Sequence, residues 1–356
     1  MAGDFKQLLQ VMPGADEDDV ASDSLAASPL FRDACKTYLR KQYRVNDRDW
    51  NRFGLELGYG VTDDAVTDCP AGCDPASADP AAPPCGTCGG LGFVVASEPA
   101  SGAFTKSIDA LRQKVRLVTS DAAEARAAID EASDRDMIVS FLNFDVDEHN
   151  MYYACRHRDD SSFRELPAAN IRNPDLHDVD PTAAAMLTDD MMEAAVVNGV
   201  PSSSLHLWVG ARVMLLRNMH VLNGLFNGQL MEVVAINRYV ISVKLLDARY
   251  GNDVHHIPRI KFEAKVGDVP FTRVQFPLRL AYAITANKSQ GQTLTGNIVL
   301  DLRRPSFAPG QLYVAFTRVP NGAKVTLLVP PGHDGRLHAV VQQKVLARSG
   351  DVVLRV

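Results

Sequence analysis

The sequence predicts a mixed α/β chain built on a parallel sheet, carrying a small inserted β-barrel and a cysteine-rich insert. Three observations point there. Leu280, Ala281, Tyr282, Ala283, Ile284 and Thr285 form a buried-strand pattern that runs into a small polar loop and then a second apolar segment ending on Arg318. Met137 to Leu142 is a compact apolar run leading into NFDVDEHNMYYA, the strand-then-helix order of a parallel sheet. Between the two, LHLWVGARVMLLRNMHVLNGLFNGQLMEVVAINRYVISVKLLD alternates as short strands with turns at Gly210, Asn223-Gly224 and Asn227-Gly228, which is the pattern of a small β-barrel.

A chain of 356 residues with 46% hydrophobic composition can bury one large or two modest cores, so two or three domains are expected. The net charge of −6 hides an asymmetry. Residues 1–200 carry 18 Lys+Arg against 35 Asp+Glu, whereas residues 201–356 carry 19 against 8. A basic half is what a phosphate-tracking surface needs, and uneven surface decoration is the plainer reading. No run of about 18 apolar residues suggests a membrane span, and MAGDFKQ lacks the basic and apolar regions of a signal peptide. The expected location is intracellular. Six cysteines then suggest thiols or metal ligands, not a disulfide framework.

In chain order, Gly3, Asp4, Phe5, Lys6 and Gln7 open a polar turn, followed by a capped helix near Asp19. Residues 36–60 read as a short strand, a turn at Asn46 and Asp47, and an amphipathic helix burying Trp50, Phe53, Leu55 and Leu57. Residues 61–103 turn rich in Ala, Pro, Asp and Gly and hold Cys69, Cys73, Cys85 and Cys88, spaced Cx3C and CxxC. That spacing places paired thiolates on one metal, and a structural zinc site is the leading reading. A loop with free thiols and a redox pair are its alternatives.

From Thr105 to Arg135, Ile108, Leu111, Val115 and Leu117 and an alanine-rich stretch predict helices. Asp130, Glu131, Ala132 and Ser133 imitate an acidic magnesium motif, but no buried strand precedes them, so they read as a surface helix end. The helix after Met137–Leu142 is capped at Asn143 or Asp145. Residues 159–200 are connection plus a short helix near Met191 and Met192.

The loop Asn287, Lys288, Ser289, Gln290, Gly291, Gln292, Thr293 joins a cation to short amides and hydroxyls, groups that hold a sugar-phosphate backbone without reading bases. Arg318, at the end of its apolar segment, is placed as an arginine aimed at a nucleotide would be.

QFPLRLAYAITANKSQGQTL and DLRRPSFAPGQLYVAFTRV closely resemble the last two motifs of superfamily-one DNA helicases of the Pif type, including those of Helitron transposons. GDFKQ resembles the third motif, KQYRV sits where a phosphate-reaching arginine is expected, Asn143, Val146, Asp147 and Asn150 fit the family's strand-end frame, and Val209 to Gly228 matches its VGAxVMLLRN and GLxNG signature. The resemblance implies Gln7, Arg44 and Arg318 as catalytic residues, and a nucleotide site of Gly3, Asp4, Gln7, Arg44, Gly291 and Arg318. It implies DNA contacts from Lys288, Ser289, Gln290 and Thr293, with Arg212 and Arg217, and Arg238 beside them, facing phosphate from the inserted barrel.

It further implies a RecA-like architecture with an SH3-like insert. Residues 1–30 would be the tail of a first RecA-like domain, 31–200 and 275–356 a second one, and 201–274 the insert, with the cysteine-rich 61–103 outside the family pattern. ATP and Mg2+ would be the cofactors; structural Zn2+ at Cys69, Cys73, Cys85 and Cys88 rests on their spacing alone. Single-stranded or fork DNA and a missing N-terminal RecA-like domain would be the partners, and the nucleus the location. No GxxxxGK followed by Ser or Thr occurs in the 356 residues; Thr105-Lys106-Ser107 and Asn287-Lys288-Ser289 lack the glycines. Two readings follow: the C-terminal half of a helicase, inactive alone, or a non-catalytic DNA-binding fragment of a transposon-derived helicase.

Overall fold

A computed structural model of the chain describes residues 47–60, 66–68, 93–95, 102–111, 114–119, 127–129, 136–172, 185–197, 199–290, 292, 294, 296–319 and 321–341. It divides into two compact units, one of residues 147–283 and one formed by the segments on either side.

Helix α1 (Arg48–Tyr59) starts where the Asp47 side chain accepts from Trp50 N and stops at Gly60, whose φ of 70° suits glycine. This is the amphipathic helix expected from the spacing of Trp50, Phe53 and Leu57, all buried. β1 (Val66–Asp68) and β2 (Phe93–Val95) pair antiparallel, and the four cysteines fall between them in sequence, outside the described residues.

The helix expected from Thr105 is not what forms. β3 (Gly102–Ser107) is followed by a single 3-10 turn, Asp109–Leu111, and by β4 (Arg116–Thr119). Ile108, Leu111 and Val115 are buried, but from a turn and its flanks. Spacings of three and four residues mark any tight turn that lines a core, and short strands show too little alternation to override that signal. Asp130 to Ser133 lie outside the described residues. β5 (Met137–Ser140) is buried throughout, and α2 (Asn143–Arg156) begins at the expected position.

The unit of residues 147–283 is mostly antiparallel. It contains β6 (Arg164–Pro167), β7 (Ala169–Arg172), helix α3 (Asp189–Ala194), β8 (Ser204–Leu207), β9 (Arg212–Leu215), β10 (Leu230–Ile236), β11 (Val240–Leu245), β12 (Val254–Pro258), β13 (Ile260–Val266), β14 (Val269–Gln275) and β15 (Leu278–Leu280). One sheet has the order β12-β11-β10-β9-β15, a second β13-β14-β7, and β6 pairs with β8. Gly210, Gly224 and Gly228 adopt φ of 89°, 80° and 95°, so the three expected turns use the conformation that glycine permits. The short helix near Met191 forms as expected, and Met192 packs with Leu187, Ala264, Val269 and Phe271.

Arg273 locks this packing. Its guanidinium donates to Asn170 Oδ1, Ala195 O and Pro201 O at 3.0–3.1 Å, and to Met192 O.

The remaining elements are β16 (Ala283–Thr285), the short helix α4 (Ala286–Ser289), β17 (Ile298–Asp301), α5 (Gln311–Thr317), β18 (Val325–Val329) and β19 (Arg336–Val341). The predicted parallel sheet is present, with the order β16-β5-β17-β18-β4. β17 runs parallel to β5 and β18, and β18 runs parallel to β4. The single strand expected over residues 280–285 is two strands in two sheets, because the chain leaves one sheet at Leu280 and joins the other at Ala283.

Beside the parallel sheet α1 meets α5. Trp50 stacks on Phe316 at 5.0 Å and donates from Nε1 to Val319 O at 3.0 Å. Among the described residues no helix is long and apolar enough to cross a membrane.

Candidate functional site

The polar loop after β16 is held by its own small side chains. Thr285 accepts from Lys288 N at 3.3 Å and so caps α4. Ser289 is fully buried and its hydroxyl donates to Ala286 O at 2.7 Å, while Lys288 and Gln290 lie exposed on either side. Gln292 N donates to Ser289 O at 3.0 Å, and its carboxamide donates to Lys288 O at 3.2 Å. The loop therefore offers a cation and an amide outward from a rigid turn.

Helix α5 is tied to that loop at three points. Gln311, completely buried, accepts on Oε1 from Phe307 N and Ala308 N and donates from Nε2 to Asn287 Oδ1 at 3.3 Å. Leu294 N donates to Arg318 O at 3.0 Å. The Arg318 guanidinium, also buried, donates to Gln292 O at 3.5 Å, to Val314 O at 3.2 Å and to Thr317 Oγ1 at 3.1 Å. Sequence reasoning set Arg318 in a nucleotide site and Lys288, Ser289 and Gln290 among DNA contacts; the structure links Arg318 to the end of this loop through Gln292 O and Leu294 N.

At the carboxyl ends of β5 and β17 sit groups that sequence reasoning did not select. Asp301 is buried and holds Arg303 through both carboxylate oxygens, at 2.7–3.1 Å. Asp145 accepts from Ser140 Oγ at 3.3 Å and lies 3.5 Å from Arg304. Burial, and then the nearby Asp301 charge, push the Asp145 carboxyl above its ordinary range against the opposing pull of Arg304, Arg303 and Ser140. Gln311 also went unselected. Its signal was a lone amide opening the apolar run LYVAF, because a polar group on a buried face needs a partner.

In the unit of residues 147–283, Arg212 is buried with its guanidinium 5.7 Å from the centre of the Tyr282 ring, and its N–H donates to the Tyr282 hydroxyl at 3.3 Å. Arg217 is exposed and lies over Phe262 at 5.1 Å, and Arg238 lies over Tyr239 at 5.2 Å. Gly3, Asp4, Gln7, Arg44, Gly291, Thr293, Cys69, Cys73, Cys85 and Cys88 lie outside the described residues. Among the described residues no group of three or more His, Cys, Asp or Glu is arranged to hold a metal ion.

Residues 190–236 match the family described as DNA helicase Pif1, 2B domain. The chain is 35% identical over 173 residues to the ATP-dependent DNA helicase PIF1 of Danio rerio, covering 46% of this chain and 25% of that protein. It is 40% identical over 120 residues to the human PIF1 helicase, covering 33% of this chain and 18% of that protein. It thus spans a quarter or less of the length of these relatives. Among solved structures, Pif1 helicase from Candida albicans aligns at 23% identity and a TM-score of 0.41, over 59% of this chain and 46% of that one. Bacteroides Pif1 bound to ssDNA aligns at 22% and 0.40, over 62% and 47%.

Proposed function

We infer, for a chain that is a relative of the Pif-type superfamily-one DNA helicases, that it supplies the C-terminal half of an ATP-dependent DNA helicase. In this reading residues 31–200 and 275–356 form the second RecA-like domain, and residues 201–274 an SH3-like insert whose exposed Arg217 faces DNA phosphate while Arg212 packs on Tyr282. Lys288, Ser289, Gln290 and Thr293 track the backbone of a single strand or fork. Gln7, Arg44 and Arg318 complete a nucleotide site whose P-loop is contributed by a separate RecA-like domain.

The observation that carries this reading is the hydrogen-bonded junction between the loop and Arg318. A motor that couples hydrolysis to movement needs its strand-contacting loop and its phosphate-sensing arginine to move as one body. Here Gln292 O accepts from the guanidinium and Leu294 N returns a bond to Arg318 O.

ATP with Mg2+ would supply the phosphoryl group whose transfer drives translocation. On this chain's side, the described donor suited to phosphate charge is the Arg318 guanidinium, held in a fixed direction by backbone carbonyls. No GxxxxGK followed by Ser or Thr occurs in the 356 residues to supply the rest of a phosphate cradle.

The test is binding of a fluorescent oligo(dT) strand and DNA-stimulated ATP hydrolysis, measured on the chain alone and with a P-loop domain joined to it. The chain alone is expected to bind without hydrolysis. The joined protein is expected to hydrolyse ATP and to lose that activity in Arg318→Ala, with the circular dichroism spectrum unchanged. Absence of strand binding, or hydrolysis indifferent to Arg318, overturns the reading. Binding with no hydrolysis even in the joined protein leaves a non-catalytic DNA-binding module.

A further inference from the structure

β5 and β17 are parallel neighbours from which the chain departs in opposite directions. After β5 it returns to the sheet as β16 on one side, and after β17 as β18 on the other. In open parallel sheets, ligands bind in the crevice outside the carboxyl ends of such a pair. Leu300 pairs with Val139, so Ser140 and Asp301 end the two strands side by side.

The segments that leave these two strand ends carry an aromatic and a cation turned outward. Phe144, in the first turn of α2, is 65% exposed, and the Arg304 guanidinium lies over its ring at 5.0 Å with its side chain 47% exposed. Burial accounts for neither side chain. Phe307, three residues further, is 55% exposed.

The backbone that carries Arg304 and Phe307 is closely pinned. Leu302 N donates to Leu328 O, Arg303 N to Asp301 Oδ1, Ser306 Oγ to His338 O, Phe307 N and Ala308 N to Gln311 Oε1, and Gly310 N to Val340 O. A segment fixed at this many points while two large side chains point to water is built to present them.

The charges select the ligand. Arg303 is neutralised by the bidentate grip of Asp301, whereas among the described residues the carboxylate that meets Arg304 is Asp145, at 3.5 Å. A flat apolar face paired with a partly compensated guanidinium suits a planar ring carrying a phosphate, since bases stack on aromatic faces and arginine adds both stacking and charge.

We propose that Phe144 and Arg304 form a stacking platform for one nucleotide of a single DNA strand, the base on Phe144 and its phosphate on Arg304, without preference for base identity. The proposal rests on the single-strand reading above and adds a point of contact outside the loop of residues 288–293.

The test uses the full chain. Phe144→Trp places a fluorescent ring at the platform, while the native Trp50 and Trp208 are both buried and report little. Oligo(dT) is expected to quench this added fluorescence saturably, and an abasic oligonucleotide of the same length and charge is not. Phe144→Ala and Arg304→Ala, both at exposed positions, are each expected to weaken oligo(dT) binding roughly ten-fold, as removal of one stacked base does.

Equal quenching by the abasic strand overturns the stacking. So does unchanged oligo(dT) affinity in Phe144→Ala when the unmodified chain binds, and that result leaves the single-strand reading standing. Quenching by thymidine monophosphate but not by the oligonucleotide overturns the assignment to a strand. If the unmodified chain binds no single strand, both readings fall together.

Discussion

Asn150 pairs with Ala283 as a neighbouring strand would. Its carboxamide oxygen accepts from Ala283 N at 3.0 Å and its amide donates to Ala283 O at 3.1 Å, while the same oxygen accepts from Tyr282 N at 3.0 Å. One buried side chain thus supplies the bonds that the main chain gives up between β15 and β16.

Replacing Asn150 by Ala removes all three bonds at a buried site. The expected loss of stability is about 2–4 kcal/mol, since buried polar groups that lose partners cost about 1–3 kcal/mol each and part is recovered by relaxation. Urea unfolding of Asn150→Ala measures it. An unchanged midpoint would mean that the strand break is held by something else.

Gln311 offers a graded test of the loop-helix junction. Gln311→Glu keeps the acceptor for Phe307 N and Ala308 N but loses the donor to Asn287; Gln311→Ala loses every bond. Thermal unfolding is expected to rank wild type above Ala by about 1–3 kcal/mol, and Ala above Glu, because Glu adds an unpaired charge at a buried site. Reversal of the two variants would contradict the assigned roles.

Gly322 faces the Trp50 ring. A Cβ there would come within 2.8 Å of Trp50 Cε3, and the ring is pinned by Phe316 and Val319 O. Gly322→Ala is therefore expected to cost about 1–3 kcal/mol and to perturb the near-ultraviolet tryptophan signal. Gly54→Ala is the control, because its Cβ would meet Thr317 Cγ2 at an ordinary 3.4 Å.

Asp145 gives a pH dependence with a definite sign. Its carboxyl titrates above the ordinary 3.8 in the folded protein, so the folded state holds this proton more tightly than the unfolded chain does. Its contribution to stability is present below that ordinary value and is lost as pH rises through the raised one. Asp145→Asn has no such loss. The urea midpoint of the variant relative to wild type is expected to climb as pH rises from about 4 and then level off. A constant difference across pH would show that the carboxyl is not perturbed by folding.

Much of the local structure was legible. Asp47 and Gly60 bracket α1 because a side-chain acceptor starts a helix and a left-handed glycine ends it. The Asn-Gly pairs near 223 and 227 marked turns for the same stereochemical reason. The apolar segment closing on Arg318 is buried as expected of its composition, as helix α5. The stretch after Thr105 was misread because three buried residues at helical spacing also describe a turn between two short strands.

The site was legible where its chemistry is carried by side-chain type. Lys288 and Gln290 in a turn of small polar residues are groups suited to a sugar-phosphate backbone, and the structure leaves both exposed. Gln311, Asp301 and Phe144 were not legible, since an amide, an acid and an aromatic are common residues whose significance lies in what they meet.

By itself, then, the sequence determined where helices start and stop, where glycines turn the chain, and which segments are apolar enough to be buried. These depend on interactions within a few residues. Only the tertiary structure decided that β17 lies between β5 and β18, that Asn150 finds a strand end 133 residues away, that Gln311 finds Asn287 across 24, and that Arg304 lies over Phe144. Each of these pairings is one choice among many chemically equivalent partners, and packing of the whole chain makes that choice.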